Sequence, residues 1–153
     1  MSAKNVIRLC MPRTDHEYAR YYDLRWRVLR EPWGQPRGSE RDSLDESGIH
    51  VMAKDATGQL LGAGCLHFSH PDEGQIRYVA VEEFSRGAGV GRAMVEWLEK
   101  NARDQHATAI VLNSRELAVG FYERLGYSIV EKGETLFGEI KHFRMRKDLA
   151  CIA

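Results

Sequence analysis

The chain has 153 residues, of which 43% are hydrophobic and 29% are charged, with 22 basic and 22 acidic side chains. This length suits one domain whose core needs no metal or disulfide, so we expect residues 1–153 to form a single domain. A net charge of zero argues against a general nucleic-acid binder, which normally carries a basic surplus. The sequence therefore predicts a globular protein that does not bind nucleic acid.

The cysteines and the N-terminus indicate the compartment. Cys10, Cys65 and Cys151 are odd in number and far apart, which suggests neither a disulfide framework nor a thiolate zinc site. The N-terminus has no apolar run of signal-peptide length, and nowhere do 18 apolar residues occur consecutively. We therefore expect a cytoplasmic protein without a membrane segment. Its oligomeric state is left open, with a homodimer as one option.

The first elements are a short strand at residues 6–10 and a helix that ends before Pro32. Thr14 and Glu17 form the T-x-x-E pattern in which each side chain satisfies the other's free backbone N–H. Residues 31–48 are rich in proline, glycine and charge, which predicts a long loop. Long loops inside small domains often border sites.

The rest of the chain alternates strands with helices. In chain order, the patterns predict a hairpin of strands at 49–54 and 59–68, a strand at 75–81, a helix from residue 90, a buried strand at 107–113, a helix at 114–126, and closing strands at 127–132 and 138–149. Helices placed between strands in this way favour a mixed α/β sheet.

Three glycines alternate where the helix at residue 90 begins, in the stretch R-G-A-G-V-G-R from Arg86 to Arg92. A helix start has about four N–H groups without acceptors and roughly half a positive charge. Glycines let a ligand approach those groups and tolerate positive φ, so that the turn can fold around an anion. With an arginine on each side, the turn is predicted to bind a phosphate.

Two common nucleotide motifs do not fit this turn. No lysine follows any of the glycines, as a P-loop requires. The G-x-G-x-x-G pattern reaches Arg92 when counted from Gly87 and Met94 when counted from Gly89. The following strand ends at Asn113 without an acidic residue for a ribose. Nucleotide hydrolysis and dinucleotide binding are therefore disfavoured.

Two stretches resemble motifs of the GNAT superfamily of N-acetyltransferases. The stretch V-A-V-E-E-F-S-R-G-A-G-V-G-R resembles the central motif, Q/R-x-x-G-x-G/A, which Arg86, Gly89 and Gly91 match. The stretch I-V-L-N-S-R-E-L-A-V-G-F-Y-E-R-L-G resembles the second motif, at Asn113, Ala118, Phe121, Tyr122 and Gly126. The resemblance covers the chain from about residue 49 to the C-terminus well, and the N-terminal helix and loop more loosely. It implies a GNAT-like acyl-CoA N-acyltransferase fold, a splayed and mostly antiparallel central sheet flanked by helices.

The resemblance also implies a reaction, the direct transfer of an acetyl group from acetyl-coenzyme A to a primary amine. In such enzymes the pyrophosphate binds backbone N–H groups of the glycine turn, and the pantetheine arm lies between the splayed strands. The implied coenzyme contacts are Val79, Ala80, Val81, Arg86, Gly87, Ala88, Gly89, Val90, Gly91, Arg92, Asn113, Ala118 and Phe121. Tyr122 lies where the family keeps a tyrosine that protonates the departing thiolate.

The general base and the acceptor are less well indicated. Histone-acetylating members of the family have a glutamate where this chain has Gln75, which does not usefully accept a proton. The base is therefore left open between His50, His67, Glu31 and ordered water. We expect the acceptor pocket to include Arg30, Trp33, His50 and Gln75. The acceptor is a small-molecule or protein amine that the sequence does not identify.

A metal site, a covalent intermediate on Cys65 and a non-catalytic function are three less favoured interpretations. The stretch H-F-S-H-P-D-E-G from His67 has metal-ligating residues but reads as a solvated loop, so we expect no metal. Cys65 would be needed for a covalent acetyl intermediate, but its small and apolar neighbours indicate a buried strand thiol. A non-catalytic acyl-coenzyme A sensor is the alternative function, because a fold can keep a site's binding parts without its chemistry. Tyr122 favours the enzyme.

Overall fold

The computed structural model describes residues 6–149, whose strands form one seven-stranded sheet. The strands are β1 (Arg8–Cys10), β2 (Ile49–Lys54), β3 (Leu60–His70), β4 (Glu73–Val81), β5 (Ala109–Arg115), β6 (Ser128–Leu136) and β7 (Ile140–Asp148). They follow the order β1-β2-β3-β4-β5-β7-β6, and β4 with β5 is the parallel pair. The predicted mixed α/β class with a mostly antiparallel sheet is confirmed.

Three α-helices cover the two faces of this sheet: α1 (Asp15–Leu29), α2 (Val90–Asp104) and α3 (Val119–Arg124). The predicted capping box starts α1, since the Glu17 N–H donates to Thr14 Oγ1 at 3.0 Å and the Thr14 N–H donates to the Glu17 carboxylate. Tyr21 and Leu24 of α1 form one core with β2, β3 and β4, and Met94 and Leu98 of α2 belong to the core on the opposite face. Within residues 6–149, no helix has the length and apolar character needed to cross a membrane.

Several element boundaries differ from the prediction; β6, for example, continues to Leu136 and not only to residue 132. β3 continues to His70 and β4 already begins at Glu73, so that H-F-S-H-P-D-E-G is mostly hairpin strand rather than a solvated loop. The predicted helix at 114–126 begins with the last residues of β5, because β5 stays paired with β7 as far as Arg115 and His142. A 3₁₀ turn at Glu116–Ala118 then leads into the short α3.

A buried polar network joins α1 to the loop that follows it. The Arg25 side chain is fully buried and donates to Asp45 Oδ1 at 2.9 Å and to the Glu40 carbonyl at 3.0 Å. It also donates to Tyr21 Oη at 2.9 Å, which in turn lies 2.8 Å from His50 Nδ1. The predicted loop therefore has a defined place, because one guanidinium of α1 binds it at two points.

We predict that Arg25→Met destabilises the protein strongly, because it leaves the Asp45 carboxylate buried without its counter-charge. Removing one partner of a buried pair typically lowers the free energy of unfolding by about 3–5 kcal/mol. Lys100→Met is the matched control, since Lys100 forms an exposed ion pair with Asp104 whose loss should change that free energy by less than about 1 kcal/mol. Denaturant unfolding of both variants is the measurement, and equal stabilities would contradict the role given to Arg25.

Candidate active site

The sheet opens between β4 and β5. Their register partners begin at Glu73 with Ala109 and end at Ile76 with Leu112, and no pairing between the two strands continues beyond them in the described part of the chain. At the same point Tyr78 has a φ of 53°, and the register of β4 with β3 shifts. A bulge of this kind bends a strand. The second halves of β4 and β5 therefore separate, as the predicted splay requires.

A cavity of about 380 Å³ occupies the gap between the separated strands. Its walls come from residues 75–81 of β4 and 112–115 of β5, and Arg30, Arg86, Tyr122 and His142 reach it from four other places in the fold. A second cavity of about 580 Å³ adjoins it over β5, β6 and β7, and His142 lines both. The two cavities share Asn113, Leu136 and His142 and together form one cleft.

One edge of the cleft is unpaired strand backbone. The Glu82 N–H donates to the Leu61 carbonyl at 2.8 Å, toward β3. Because backbone N–H groups alternate in direction along a strand, the N–H group of Val81 points away from β3 and toward the gap. This edge can hydrogen-bond to an extended ligand as if it were another strand.

The glycine turn presents a set of free N–H groups at the start of α2. Gly87 and Gly89 have φ of 82° and 84°, which confirms the predicted need for glycine at these two positions. Among residues 6–149, no acceptor lies within hydrogen-bond distance of the N–H groups of Gly87, Gly89, Val90, Gly91 or Arg92. No other atom stands within 4 Å of where a Cβ would lie at Gly87 or Gly89. The turn is therefore open to an anion.

Gly91 serves a different purpose from the other two glycines. A Cβ at this position would lie 3.1 Å from Cζ of Phe121, which is closer than a normal contact. Gly91 thus allows α3 to pack against the first turn of α2. Phe121 is a packing residue and does not line the cavity, whereas Asn113 and Ala118, from the same motif, do line it.

Tyr122 lies beneath the cleft with only 8% of its surface exposed. Its ring packs edge-on against Phe121 and Tyr127, at centroid distances of 4.9 and 5.7 Å. Burial raises the pKa of the Tyr122 hydroxyl above its ordinary value, so that the phenol stays protonated near neutral pH. Tyr122 therefore presents a protonated phenol to the cavity that it lines.

The four residues expected in the acceptor pocket do not all meet. Arg30 and Gln75 line the cavity, and Trp33 lies next to it, with its ring centroid 4.6 Å from Cζ of Arg115. His50 lies elsewhere. It is buried under α1, where its Nε2–H donates to the Asp45 carbonyl at 2.7 Å, so it belongs to the Arg25 network.

The cleft contains a histidine that the sequence did not single out. His142 of β7 lines both cavities, and its Nδ1–H donates to the Ile140 carbonyl at 3.0 Å, which leaves the neutral ring's lone pair on Nε2. By contrast, His67 is buried behind Gln75, with Nε2 2.9 Å from the amide oxygen, and burial lowers its pKa. Glu31 lies exposed at the start of a 3₁₀ turn.

A group of possible metal ligands lies outside the cleft. The ligand atoms of Asp45, His50 and Cys65 lie within 4.8 Å of one another. However, the Arg25 guanidinium already provides the positive charge beside Asp45, and the Asp45 carbonyl accepts from His50. Burial raises the pKa of the Cys65 thiol to about 11, so the predicted buried thiol is confirmed and is not a thiolate at neutral pH. This group is better suited to packing than to a cation.

Known proteins resemble this chain in both sequence and fold. The model of the acetyltransferase (GNAT) family matches residues 18–127. The Uncharacterized N-acetyltransferase YjcF of Bacillus subtilis strain 168 is 33% identical over 113 residues, 74% of this chain and 79% of that protein. An acyl-CoA N-acyltransferase from Pseudomonas aeruginosa shares 26% identity at a TM-score of 0.77, covering 93% of this chain and 98% of the other. An aminoglycoside 6′-N-acetyltransferase in complex with coenzyme A has the same TM-score at 19% identity, covering 97% and 99%.

The chain belongs to the GNAT family of acetyltransferases, and the resemblance inferred from its two motifs is confirmed. The matched segment runs from α1 through α3 and therefore includes the open strands, the glycine turn and Tyr122. The chain is accordingly an acyltransferase.

Proposed function

We propose that this protein transfers an acetyl group from acetyl-coenzyme A directly to a primary amine. The observation that carries the proposal is the cleft itself, in which an unpaired strand edge and a protonated tyrosine meet, with Arg86 connecting the cleft to the free N–H groups of the glycine turn. The continuous sheet and its two cores support a single domain for the whole chain.

The donor half of the cleft suits a long ligand with an anionic end. The free N–H groups of residues 87–92 are the coenzyme's pyrophosphate site in this proposal, and Arg86 adds charge beside them. The edge at Val79 and Val81 then binds the amides of the pantetheine arm, which runs toward Tyr122. Acetyl-coenzyme A, when bound, supplies the activated acetyl thioester. A backbone N–H of β4 polarises the thioester carbonyl and stabilises the negative charge that develops there.

We predict that Gly89→Asp weakens coenzyme A binding by about tenfold or more, because a Cβ and a negative charge enter the proposed anion site. Gly58→Asp is the matched control, since Gly58 also has a positive φ, 89°, with open space around it, but lies in the β2–β3 turn. The two variants suffer the same kind of backbone strain. Calorimetric titration with coenzyme A is the measurement. Equal affinities for the two folded variants would place the pyrophosphate elsewhere.

Tyr122 is the proposed general acid. As the new carbon–nitrogen bond forms, the carbon–sulfur bond breaks and its electron pair stays on sulfur. Tyr122 donates a proton to this sulfur, and burial favours the protonated phenol that the step needs.

Tyr122→Phe should therefore lower turnover by about a hundredfold while coenzyme A affinity changes little, because only the proton donor is lost. The measurement is steady-state thiol release, together with calorimetric coenzyme A binding. Tyr127→Phe is the control, since it removes the hydroxyl of a neighbouring buried tyrosine that donates to Glu99 and does not line the cleft. Turnover equal to that of the parent, with chemistry rate-limiting, would show Tyr122 to be a packing residue.

His142 is the proposed base among the groups that line the cleft. The acceptor ammonium must lose a proton before its nitrogen can attack, and the Nε2 lone pair of His142 receives that proton directly or through a water. His50 and His67 suit this role less well, because neither lines the cavity and their ring nitrogens are paired with the Asp45 carbonyl and the Gln75 amide oxygen.

His142→Gln should reduce kcat/KM by about a hundredfold for an ordinary alkylamine, because general-base catalysis is lost. The decrease should be much smaller for an acceptor whose amine is already neutral at the assay pH. His70→Gln provides the control, as this histidine is exposed at the β3–β4 turn. The measurement is kcat/KM from thiol release for both kinds of amine, in the parent and in the variant. An equal decrease with both amines would argue against His142 as a base.

A further inference from the structure

The cavity between β4 and β5 is lined by charges of one sign, unlike the adjoining cavity, whose lining includes Glu131 and Glu134. In the described lining of the cavity between β4 and β5, four arginines (Arg30, Arg77, Arg86 and Arg115) and one histidine are present, and no aspartate or glutamate. The whole chain, by contrast, carries equal numbers of acidic and basic side chains. Like charges gathered in a partly enclosed space repel one another, and an anion entering that space relieves the repulsion.

Arg77 is the one cavity arginine that carries its own counter-charge. Its guanidinium pairs with Asp42 of the loop after α1, and that contact holds the pKa of the Asp42 carboxyl at about 2. Arg77 is therefore neutralised within the protein. An anion that enters the cavity would therefore interact with Arg30, Arg86 and Arg115.

Arg115 is the clearest of these. No carboxylate of residues 6–149 lies within 4 Å of its guanidinium. Within the same residues, its side chain donates no hydrogen bond. It is only partly exposed, and burial together with the positive charges of Arg30 and Arg86 lowers its pKa. The face of Trp33 holds the guanidinium in place without neutralising it.

Arg30 reaches the cavity from the C-terminal end of α1. Its guanidinium lies 5.5 Å from the ring centroid of Tyr78 and 5.6 Å from that of Phe137, in the turn between β6 and β7. Its hydrogen bonds go to the carbonyls of Ser39 and Leu29, not to a carboxylate. Arg30 and Arg115 are therefore charged side chains oriented by aromatic rings, and both lie beside the loop after α1.

We propose that Arg30 and Arg115 bind a negatively charged group of the acceptor, which is therefore an amine that also carries a carboxylate or a phosphate. This inference rests on the acetyl transfer proposed above. The glycine turn and Arg86 are assigned to the coenzyme, whereas Arg30 and Arg115 lie against the rings of Trp33, Tyr78 and Phe137 and have no carboxylate partner among residues 6–149. Guanidinium binds both oxyanions through paired N–H groups.

The test compares amines that have an anionic group with neutral counterparts of the same carbon chain. β-Alanine is paired with its neutral amide, and phosphoethanolamine with ethanolamine, so that the two pairs distinguish a carboxylate from a phosphate. Acetylation is followed by thiol release, and binding by calorimetric titration of each amine into protein saturated with coenzyme A. We expect at least one anionic amine to be preferred over its neutral partner about tenfold or more in kcat/KM and in affinity.

Variants of the two arginines show which groups create the preference. Arg115→Gln and Arg30→Gln should each remove most of it while coenzyme A affinity stays within about twofold, and Arg115→Lys should keep part of it because the charge remains. Arg124→Gln, a change at an exposed arginine of α3 outside the cleft lining, should keep all of it. Thermal midpoints with and without coenzyme A identify any variant that is unfolded.

Two results would overturn the proposal. One is parent protein that binds and acetylates the neutral and anionic members of both pairs equally well. The other is an Arg115→Gln variant whose affinity for coenzyme A falls by the same factor as its affinity for the anionic amine, since Arg115 would then serve the donor. If none of the amines tested caused thiol release, the acetyl transfer would be contradicted. The calorimetric titrations would still decide whether the cleft selects an anion.

Discussion

The parallel pairing of β4 with β5 ends at Ile76 and Leu112, and the functional half of the molecule depends on that interruption. Strand backbone normally has a partner on each side, and buried N–H groups without one are costly. Here the bulge at Tyr78 bends β4 away from its neighbour, and the edge beyond it remains open. The sheet thereby gains a slot that an extended ligand can complete, with the free N–H groups of the glycine turn at one end.

The loop after α1 is as much a part of this architecture as the sheet. Its position comes from a few buried or half-buried ion pairs, Arg25 with Asp45 and Arg77 with Asp42. Because Arg25 is enclosed by aromatic rings as well as by polar acceptors, its desolvation is compensated from several directions. These contacts fix the position of a loop rich in glycine and proline beside the cleft.

Features that depend on residues close in sequence could be predicted, whereas features that depend on contacts between distant residues could not. The capping box of α1 and the positive φ of Gly87 and Gly89 follow from residues a few positions apart, and both were predicted. The bulge at Tyr78 was hidden, since Ile76, Tyr78 and Ala80 alternate as in a regular strand. The meeting of Arg115 with His142 depends on the register between β5 and β7, which no local pattern contains. The buried role of Arg25 has no local signal either, because its partners Asp45 and Glu40 come from a loop without periodicity.

The N–H groups of the glycine turn belong to the main chain, so every sequence that keeps this backbone shape presents the same donors. The facing wall is different, because what it offers are the side chains of Arg30, Arg115 and His142, each on a separate element. A point mutation in that wall alters its charge or shape and leaves the main-chain donors where they are. A protein built in this way can diverge toward new acceptors one residue at a time, while its requirement for the donor is inherited unchanged.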